Sequence, residues 1–310
     1  MLNQKLYAVF GDPILHSKSP QLFNAAFRAN GLDAFYTRIR PKSTRDILQI
    51  IRTLSLLGAN ITAPYKEEIL QYVDSVSDEA RAIGAVNTLV CSNGNISAHN
   101  TDHAGVVNSL IEAGVDLPNA RCLVIGAGGA ARAAIYGLTK TKAQVWVCNR
   151  TKEKAQALKG DFEFNLLDWN NFPSEMQFDV VISTLLPEAT IPFISNIKYD
   201  VLLDASYKPS LISRISQQHG INVISGQRWL LYQAAEAYRL FTGESINPKI
   251  MEEGYSISLD KDKLRIAAFP QSLAETIFSR SIDLVVSIQG IDALTIKSIV
   301  DDEVSKAFGS

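Results

Sequence analysis

The chain has 310 residues, of which 46% are hydrophobic and 20% charged, and its formal net charge is -2. That length accommodates two domains, and the charge balance offers no basic field to nucleic acid or to an acidic membrane surface. No apolar run reaches the roughly 18 residues of a spanning helix. The N-terminus lacks the apolar core and cleavage site of a signal peptide. Cys91, Cys122 and Cys148 are too few and too widely spaced for a disulfide framework, so reduced thiols in a cytoplasmic protein are expected. His16, His99, His103 and His219 show no metal-ligand spacing, and no metal is expected.

In chain order, "LYAVFG" is a short apolar run ended by Gly-Asp-Pro. "SPQLFNAAFRANG" predicts a helix, with Ser19 as cap, Pro20 at its first position, Leu22, Phe23, Ala26 and Phe27 on one face, and Gly31 closing it. "AFYTRIR" alternates as a strand. "STRDILQIIRTLSLLG" predicts a second amphipathic helix through Ile47, Ile50, Ile51 and Leu54. "GANITAPYKEE" follows, then a predicted helix over 64–73 and the strand "GAVNTLV". Strands alternating with helices imply an α/β domain with a largely parallel sheet.

A second unit begins near residue 103, where "DHAGVVNSLIEAG" reads as a linking helix. "RCLVIGAGGAARAAIYGLT" is a buried strand, a glycine turn and a helix. "AQVWVCNR", "FDVVIST", "YDVLLDAS" and "INVISG" are further strands, and "QRWLLYQAAEAYRLFTG" is a strong helix ended by Gly243. After residue 255, "SISLDKDKLRIAAFP" holds two strand-like pieces around a charged turn. "SLAETIFSRSIDLVVSI" reads as a helix or as a helix and a strand, and "DALTIKSIVDDEVSKAF" as a helix.

The glycine turn carries chemistry. Gly126, Gly128 and Ala131 keep the G-x-G-x-x-A spacing between a strand and a helix. Gly126 permits the tight turn, Gly128 lets the backbone approach a pyrophosphate, and Ala131 allows close helix packing. The helix N-terminal amides then face the anion. Where an NAD site places an acidic residue for the ribose 2'-hydroxyl, this chain has Asn149, Arg150, Thr151, Lys152 and Lys154. A guanidinium pairs bidentately with phosphate, so the sequence points to a 2'-phosphate and hence to NADP.

A dinucleotide domain preceded by another α/β domain suggests a dehydrogenase with its site in the cleft between them. Hydride transfer to a ketone needs a proton donor at the new alkoxide. Polar residues gather at strand ends in "HSKSP" (Ser17, Ser19), "GANITAPYK" (Asn60, Thr62, Lys66), and "GAVNT" with "HNTDHAG" (Asn87, Asp102). Asn60 and Thr62 alternate onto one side of a strand. Pro64 suits a first helical position, which would set Lys66 in a helical first turn whose amide dipoles lower its pKa. Structural roles compete: Asn87 as a turn cap, Asp102 as the cap of the helix after it.

At this point the chain resembles the shikimate dehydrogenase family over residues 5–250. The shared motifs, in order, are "GDPILHSKSPQLFN", "GANITAPYK", "AIGAVNT", "NTDHAG", "GAGGAARA", "NRT", "DASYKP" and "QAAEAYRLFTG". The resemblance implies reversible NADPH-dependent reduction of 3-dehydroshikimate to shikimate, a step toward the aromatic amino acids. It implies Lys66 and Asp102 as the acid–base pair and Ser17 and Ser19 as carboxylate ligands. Asn60, Thr62, Asn87 and Gln233 become further polar ligands, and Tyr207 lies near the carboxylate and cofactor. The cofactor set becomes Gly126, Ala127, Gly128, Gly129, Ala130, Asn149, Arg150, Thr151, Lys154, Thr184 and Gly226.

The implied architecture is a substrate-binding α/β domain (1–102 and 233–254) and a Rossmann-type NADP domain (103–232), with an extension over 255–310. The chain is expected to act as a monomer or homodimer on a small molecule, with no nucleic acid or membrane. Three departures from the family stand out, the first being the 255–310 extension itself, which the usual enzyme lacks and which reads equally as a dimerisation element, a remnant of a fused domain or a lid. Arg228 replaces a glycine five residues before Gln233, with Trp229 in place of a common methionine. Arg228 is expected to reshape the nicotinamide end or to turn outward onto substrate or cofactor phosphate. The loop "STLLPEA" replaces the family's Asn-Ala-Thr-Ser, which implies weaker cofactor affinity or turnover. Two other readings stand: an enzyme for quinate or another ring acid, and a non-catalytic NADP-binding sensor. Ser17 and Ser19 would crowd the extra hydroxyl of quinate, and the retained Lys66 and Asp102 oppose the sensor.

Overall fold

The computed structural model describes residues 4–173 and 175–256, together with the backbone of two strands at 266–269 and 284–287. The helix expected over 292–308 lies outside the described residues. The chain divides into two compact units: Met1–Ala80 with Gly84–His99 and Ala237–Ser310, and Arg81–Ile83 with Asn100–Glu236.

The first unit runs β1 (Lys5–Phe10), α1 (Ser19–Ala29), β2 (Ala34–Arg40), α2 (Thr44–Thr53), β3 (Gly58–Ile61), β4 (Ser75–Val76), the start of α3 (Asp78–Ile83), β5 (Thr88–Ser92) and β6 (Asn95–His99). α1 begins at Ser19 with Pro20 in its first turn and buries Leu22, Phe23, Ala26 and Phe27. The cap position belongs to Lys18 rather than Ser19, which is itself helical and buried. The Ser43 side chain accepts from Asp46 N and starts α2, whose Ile47, Ile50 and Ile51 enter the core.

β1 lies between β2 and β3, parallel to both. The expected parallel sheet also holds an antiparallel hairpin. β5 runs against β3 and β6, and the β5–β6 turn has positive φ at Asn93 and Gly94, the backbone a two-residue hairpin turn requires.

No α-helix forms over 64–73. After β3 the chain turns, and only Glu68–Gln71 is helical, as a short 3-10 turn. The reason is tertiary. The Lys66 carbonyl accepts from Val86 N at 2.8 Å, and the buried Tyr65 hydroxyl donates to the Pro41 carbonyl at 3.0 Å.

The second unit contains α4 (Asp102–Glu112), β7 (Arg121–Ile125), α5 (Gly129–Lys140), β8 (Gln144–Cys148), α6 (Lys152–Ala157), β9 (Asn165–Leu167), β10 (Gln177–Ser183), β11 (Lys198–Asp204), α7 (Leu211–Gln218) and β12 (Asn222–Ser225). α8 (Gly226–Thr242) leaves this unit after Glu236. Its sheet is wholly parallel, in the order β12-β11-β10-β7-β8-β9. Side chains alternate between two cores: Cys122 and Val124 enter one, Leu123 and Ile125 the other. The chain starts at β7, winds outward to β9, then returns to β10 and winds the other way. The reversal between β7 and β10 is where such sheets open a crevice for a nucleotide.

In the first unit, α9 (Pro248–Tyr255) is followed by β13 (Ile266–Phe269) and β14 (Leu284–Ser287). These extend the first sheet past β2, giving β13-β14-β2-β1-β3-β5-β6-β4. β14 runs parallel to β2, with Leu284–Val286 opposite Arg38–Arg40.

Candidate active site

At the reversal point of the second sheet, Gly126 leaves β7 with φ 127. A Cβ there would also lie 2.1 Å from Thr184 Oγ1, at the end of β10. Thr184 Oγ1 donates to the Ile125 carbonyl at 3.0 Å, so the loops after β7 and β10 close on each other only over a glycine. A Cβ on Gly128 or Gly129 would meet open space, so backbone amides at the start of α5 are accessible to an anion.

A cavity of about 550 Å³ adjoins this turn. Gly126, Ala127, Gly128, Asn149, Arg150, Thr151, Lys154 and Thr184 all line it. Gly129, Ala130 and Gly226 are not among its lining residues. Gly226 has a packing role instead, since a Cβ there would stand 2.3 Å from the Ala205 carbonyl oxygen.

The two lysines of "NRTKEK" separate. Lys152 pairs with Asp168 at 2.9 Å, whose hydrogen bond raises the ammonium pKa and lowers that of the carboxyl. Lys154 faces the cavity. Asn149 Nδ2 donates to the Thr151 carbonyl at 2.7 Å and shapes the bend that presents Arg150. The residues fit a 2'-phosphorylated dinucleotide: a glycine turn for the pyrophosphate, then cations one strand outward.

In the first unit, four of the predicted substrate residues, Ser17, Ser19, Asn60 and Asn87, belong to a connected polar group, while Thr62 stands just past β3 with its backbone bonded to Phe10 and Tyr65. Ser17 Oγ donates to Ser19 Oγ at 3.3 Å. The fully buried Tyr36 hydroxyl donates to Asn60 Oδ1 at 2.6 Å and also hydrogen-bonds the Ser19 side chain. Asn60 Nδ2 donates to the Asn87 carbonyl and to Thr88 Oγ1, both at 3.0 Å, and Thr88 Oγ1 donates to Asn87 Oδ1 at 2.9 Å. Ile61 N donates to the Asn87 carbonyl at 2.9 Å, so the segments carrying Lys66 and Asn87 are tied side by side.

Both amide hydrogens of Asn60 and one face of its oxygen are therefore engaged within the protein. Its geometry is that of a strut holding Asn87. Burial pushes the Tyr36 phenol well above its ordinary pKa, so it remains a donor. Lys66 sits in the turn after β3, and without a helical first turn the dipole argument for it falls away. Glu68 accepts from Thr44 Oγ1 at 2.6 Å and is directed to α2.

Sequence reasoning missed Tyr36 and Arg38, both on β2 and both fully buried. Arg38 donates from Nε and Nη2 to the Ser17 carbonyl at 2.9 and 2.6 Å, and from Nη2 to Gln21 Oε1 at 2.5 Å. The i, i+2 spacing puts both residues on one face of the strand, under the serine loop.

In the second unit, Asn100 Oδ1 accepts from Asp102 N at 2.9 Å, so Asn100 rather than Asp102 closes the start of α4. Thr101 Oγ1 donates to Gln233 Oε1 at 3.3 Å, which places Gln233 beside the start of α4. Tyr207 is 51% exposed in the loop after β11. Arg228 is not among the residues lining the cavity. Its Nε donates to Glu112 Oε2 at 2.8 Å and its Nη2 pairs with Glu112 Oε1, which joins α8 to the end of α4. Trp229 is buried over Gly105, where a Cβ would stand 2.5 Å from the indole. Cys122 and Cys148 are buried thiols pushed up to about 12, unreactive at neutral pH.

A family model described as the shikimate dehydrogenase substrate binding domain matches residues 9–89, and one described as shikimate / quinate 5-dehydrogenase matches 109–215. The shikimate dehydrogenase (NADP(+)) of Aquifex aeolicus is 36% identical over 258 residues, covering 80% of this chain and 95% of the relative. The same enzyme of Sulfolobus acidocaldarius is 36% identical over 246 residues, covering 78% and 91%. The crystal structure of the Aquifex aeolicus enzyme superposes with a TM-score of 0.76 at 32% identity, covering 83% of this chain and 100% of that one. That of the Thermus thermophilus shikimate 5-dehydrogenase, in complex with NADP(H) and shikimate, gives 0.74 at 30% identity, covering 81% and 98%. With its glycine turn, its Arg150 stretch and these relatives, the chain belongs to the shikimate dehydrogenase family.

Proposed function

We propose that this chain catalyses the reversible NADPH-dependent reduction of 3-dehydroshikimate to shikimate. The observation that carries the reading is the buried polar group running from Ser17 and Ser19 through Tyr36 and Asn60 to Asn87, next to the Lys66 turn. A ring acid with several oxygen substituents is recognised by many neutral hydrogen-bonding groups. Fixing them before binding lowers the ordering cost.

Ser17 and Ser19 hold the carboxylate, and Thr62, Asn87, Tyr207 and Gln233 contact the ring oxygens and carboxylate. Bound NADPH supplies the hydride to the ketone carbon. Lys66 Nζ donates its proton to the oxygen on which negative charge develops, and the amine regains a proton from solvent, relayed by the Asp102 carboxylate, which ends ionised as it began. In the oxidative direction Lys66 accepts the hydroxyl proton. Arg150, Thr151 and Lys154 hold the 2'-phosphate and select NADP over NAD. The three free cysteines suit a reducing compartment, and we assign the enzyme to the cytoplasm.

The test is an absorbance assay of nicotinamide reduction with shikimate or quinate and with NADP or NAD. Turnover with shikimate and NADP that collapses in Lys66→Ala is the expected result. Binding of NADP without turnover on either acid would overturn the reading in favour of a sensor, and preference for quinate would reassign the substrate.

A further inference from the structure

Three neighbouring strands of the second sheet, β7, β8 and β9, end at one cavity. The first delivers the glycine turn and the second delivers Arg150. Just past the end of the third stands Trp169, which also lines that cavity. Each strand step moves about 4.8 Å across the sheet. A dinucleotide with its pyrophosphate at β7 and its 2'-phosphate at β8 has its adenine on the same ribose as that phosphate. The base therefore lies one sugar away from Arg150, within reach of the end of β9.

Trp169 is held as a platform. Asp168 Oδ1 accepts from the backbone amides of Asn170 and Asn171 at 2.9 and 3.2 Å, which fixes the turn around the indole. Lys152 anchors the same carboxylate. The indole meets Phe193 edge-on at 5.2 Å, and Phe193 stacks on Phe172 at 3.9 Å. The ring is only partly buried. A fixed aromatic surface on a cavity wall suits a flat heteroaromatic base, whose stacking needs no particular hydrogen bond.

We propose that Trp169 forms the aromatic wall against which the adenine of bound NADP packs, and so sets cofactor affinity. This rests on the assignment of Arg150 and its neighbours to the 2'-phosphate.

The experiment uses the full chain, with 2',5'-ADP as a probe carrying the adenine and both of its phosphates but no nicotinamide, and etheno-NADP as a fluorescent base. In the wild type, 2',5'-ADP quenches part of the indole emission and etheno fluorescence falls on binding. Trp169→Ala weakens 2',5'-ADP about tenfold or more. Trp169→Phe retains affinity but loses the indole quench. Unchanged 2',5'-ADP affinity in Trp169→Ala, or quenching that survives in Trp169→Phe, overturns the proposal. Arg150→Ala separates the two assignments. If it weakens 2',5'-ADP and Trp169→Ala does not, only the adenine wall fails. If neither does, the 2'-phosphate assignment itself is wrong. Should Trp169→Ala not fold, the quench in wild type against Trp169→Phe decides alone.

Discussion

Ser19, Asn60 and Asn87, assigned to the substrate in the first unit, are buried in one polar group, whereas the polar residues assigned to the cofactor in the second face an open cavity. Asn60 and Asn87 are 6% and 3% exposed, while Arg150, Thr151 and Lys154 are all exposed. The difference follows from the ligands. A small polyol offers few atoms, so its affinity depends on groups fixed beforehand. A dinucleotide offers phosphates, which backbone amides and flexible cations recognise at the surface with little prior order. Substitutions in the first unit should therefore act through geometry, and those in the second through charge.

The sharpest way to break the comparison is Lys66→Ala, because in the proposed mechanism Lys66 acts on the reacting bond rather than through either kind of recognition. Its kcat should fall about a thousandfold with the KM for NADP unchanged. A residual rate near wild type would remove Lys66 from the mechanism. Arg150→Ala comes next. The loss of a charge-assisted phosphate contact should raise the KM for NADP by about tenfold to a hundredfold and leave the KM for NAD unchanged. Equal losses for both cofactors would show that Arg150 does not read the 2'-phosphate.

Tyr36→Phe tests the first unit's geometry by removing one oxygen that need not touch ligand. The KM for shikimate should rise about fivefold, with kcat and the KM for NADP kept. A fall in kcat with no change in KM would place Tyr36 elsewhere in the mechanism. Smallest of all is Arg228→Gly. The partly exposed pair with Glu112 is worth below about 1 kcal/mol. A slight drop in the unfolding midpoint and unchanged kinetic constants are expected, and any large kinetic change would reinstate Arg228 as a ligand contact.

What was legible in the sequence was local. The glycine turn reads correctly because the φ of Gly126 and the space at Gly128 are demands on adjacent residues. The Arg150 stretch reads because it follows directly on a strand. The helix over 64–73 failed because Val86, 20 residues on from Lys66, takes its carbonyl. Tyr36 and Arg38 were invisible because "AFYTRIR" looks like any alternating strand, and an arginine in it reads as solvated until Ser17 and Gln21 are seen beside it. The pairing of Arg228 with Glu112 was not legible because the two lie 116 residues apart in sequence. Trp169 follows a three-residue strand, and nothing in its neighbours announces a cavity.

The strands at 266–269 and 284–287 change the status of β2. With β14 alongside it, β2 is an interior strand, and the amides of its far half have partners on both sides. Amide protons across Arg38–Arg40 that would exchange quickly on an open edge become as slow as their neighbours facing β1. A chain cut after residue 256 should show that protection vanish in alternate residues, and with it some of the stiffness of the strand that seats Tyr36 and Arg38. Among the described strands of this sheet, a segment adding itself has only β13 or β4 left to pair with.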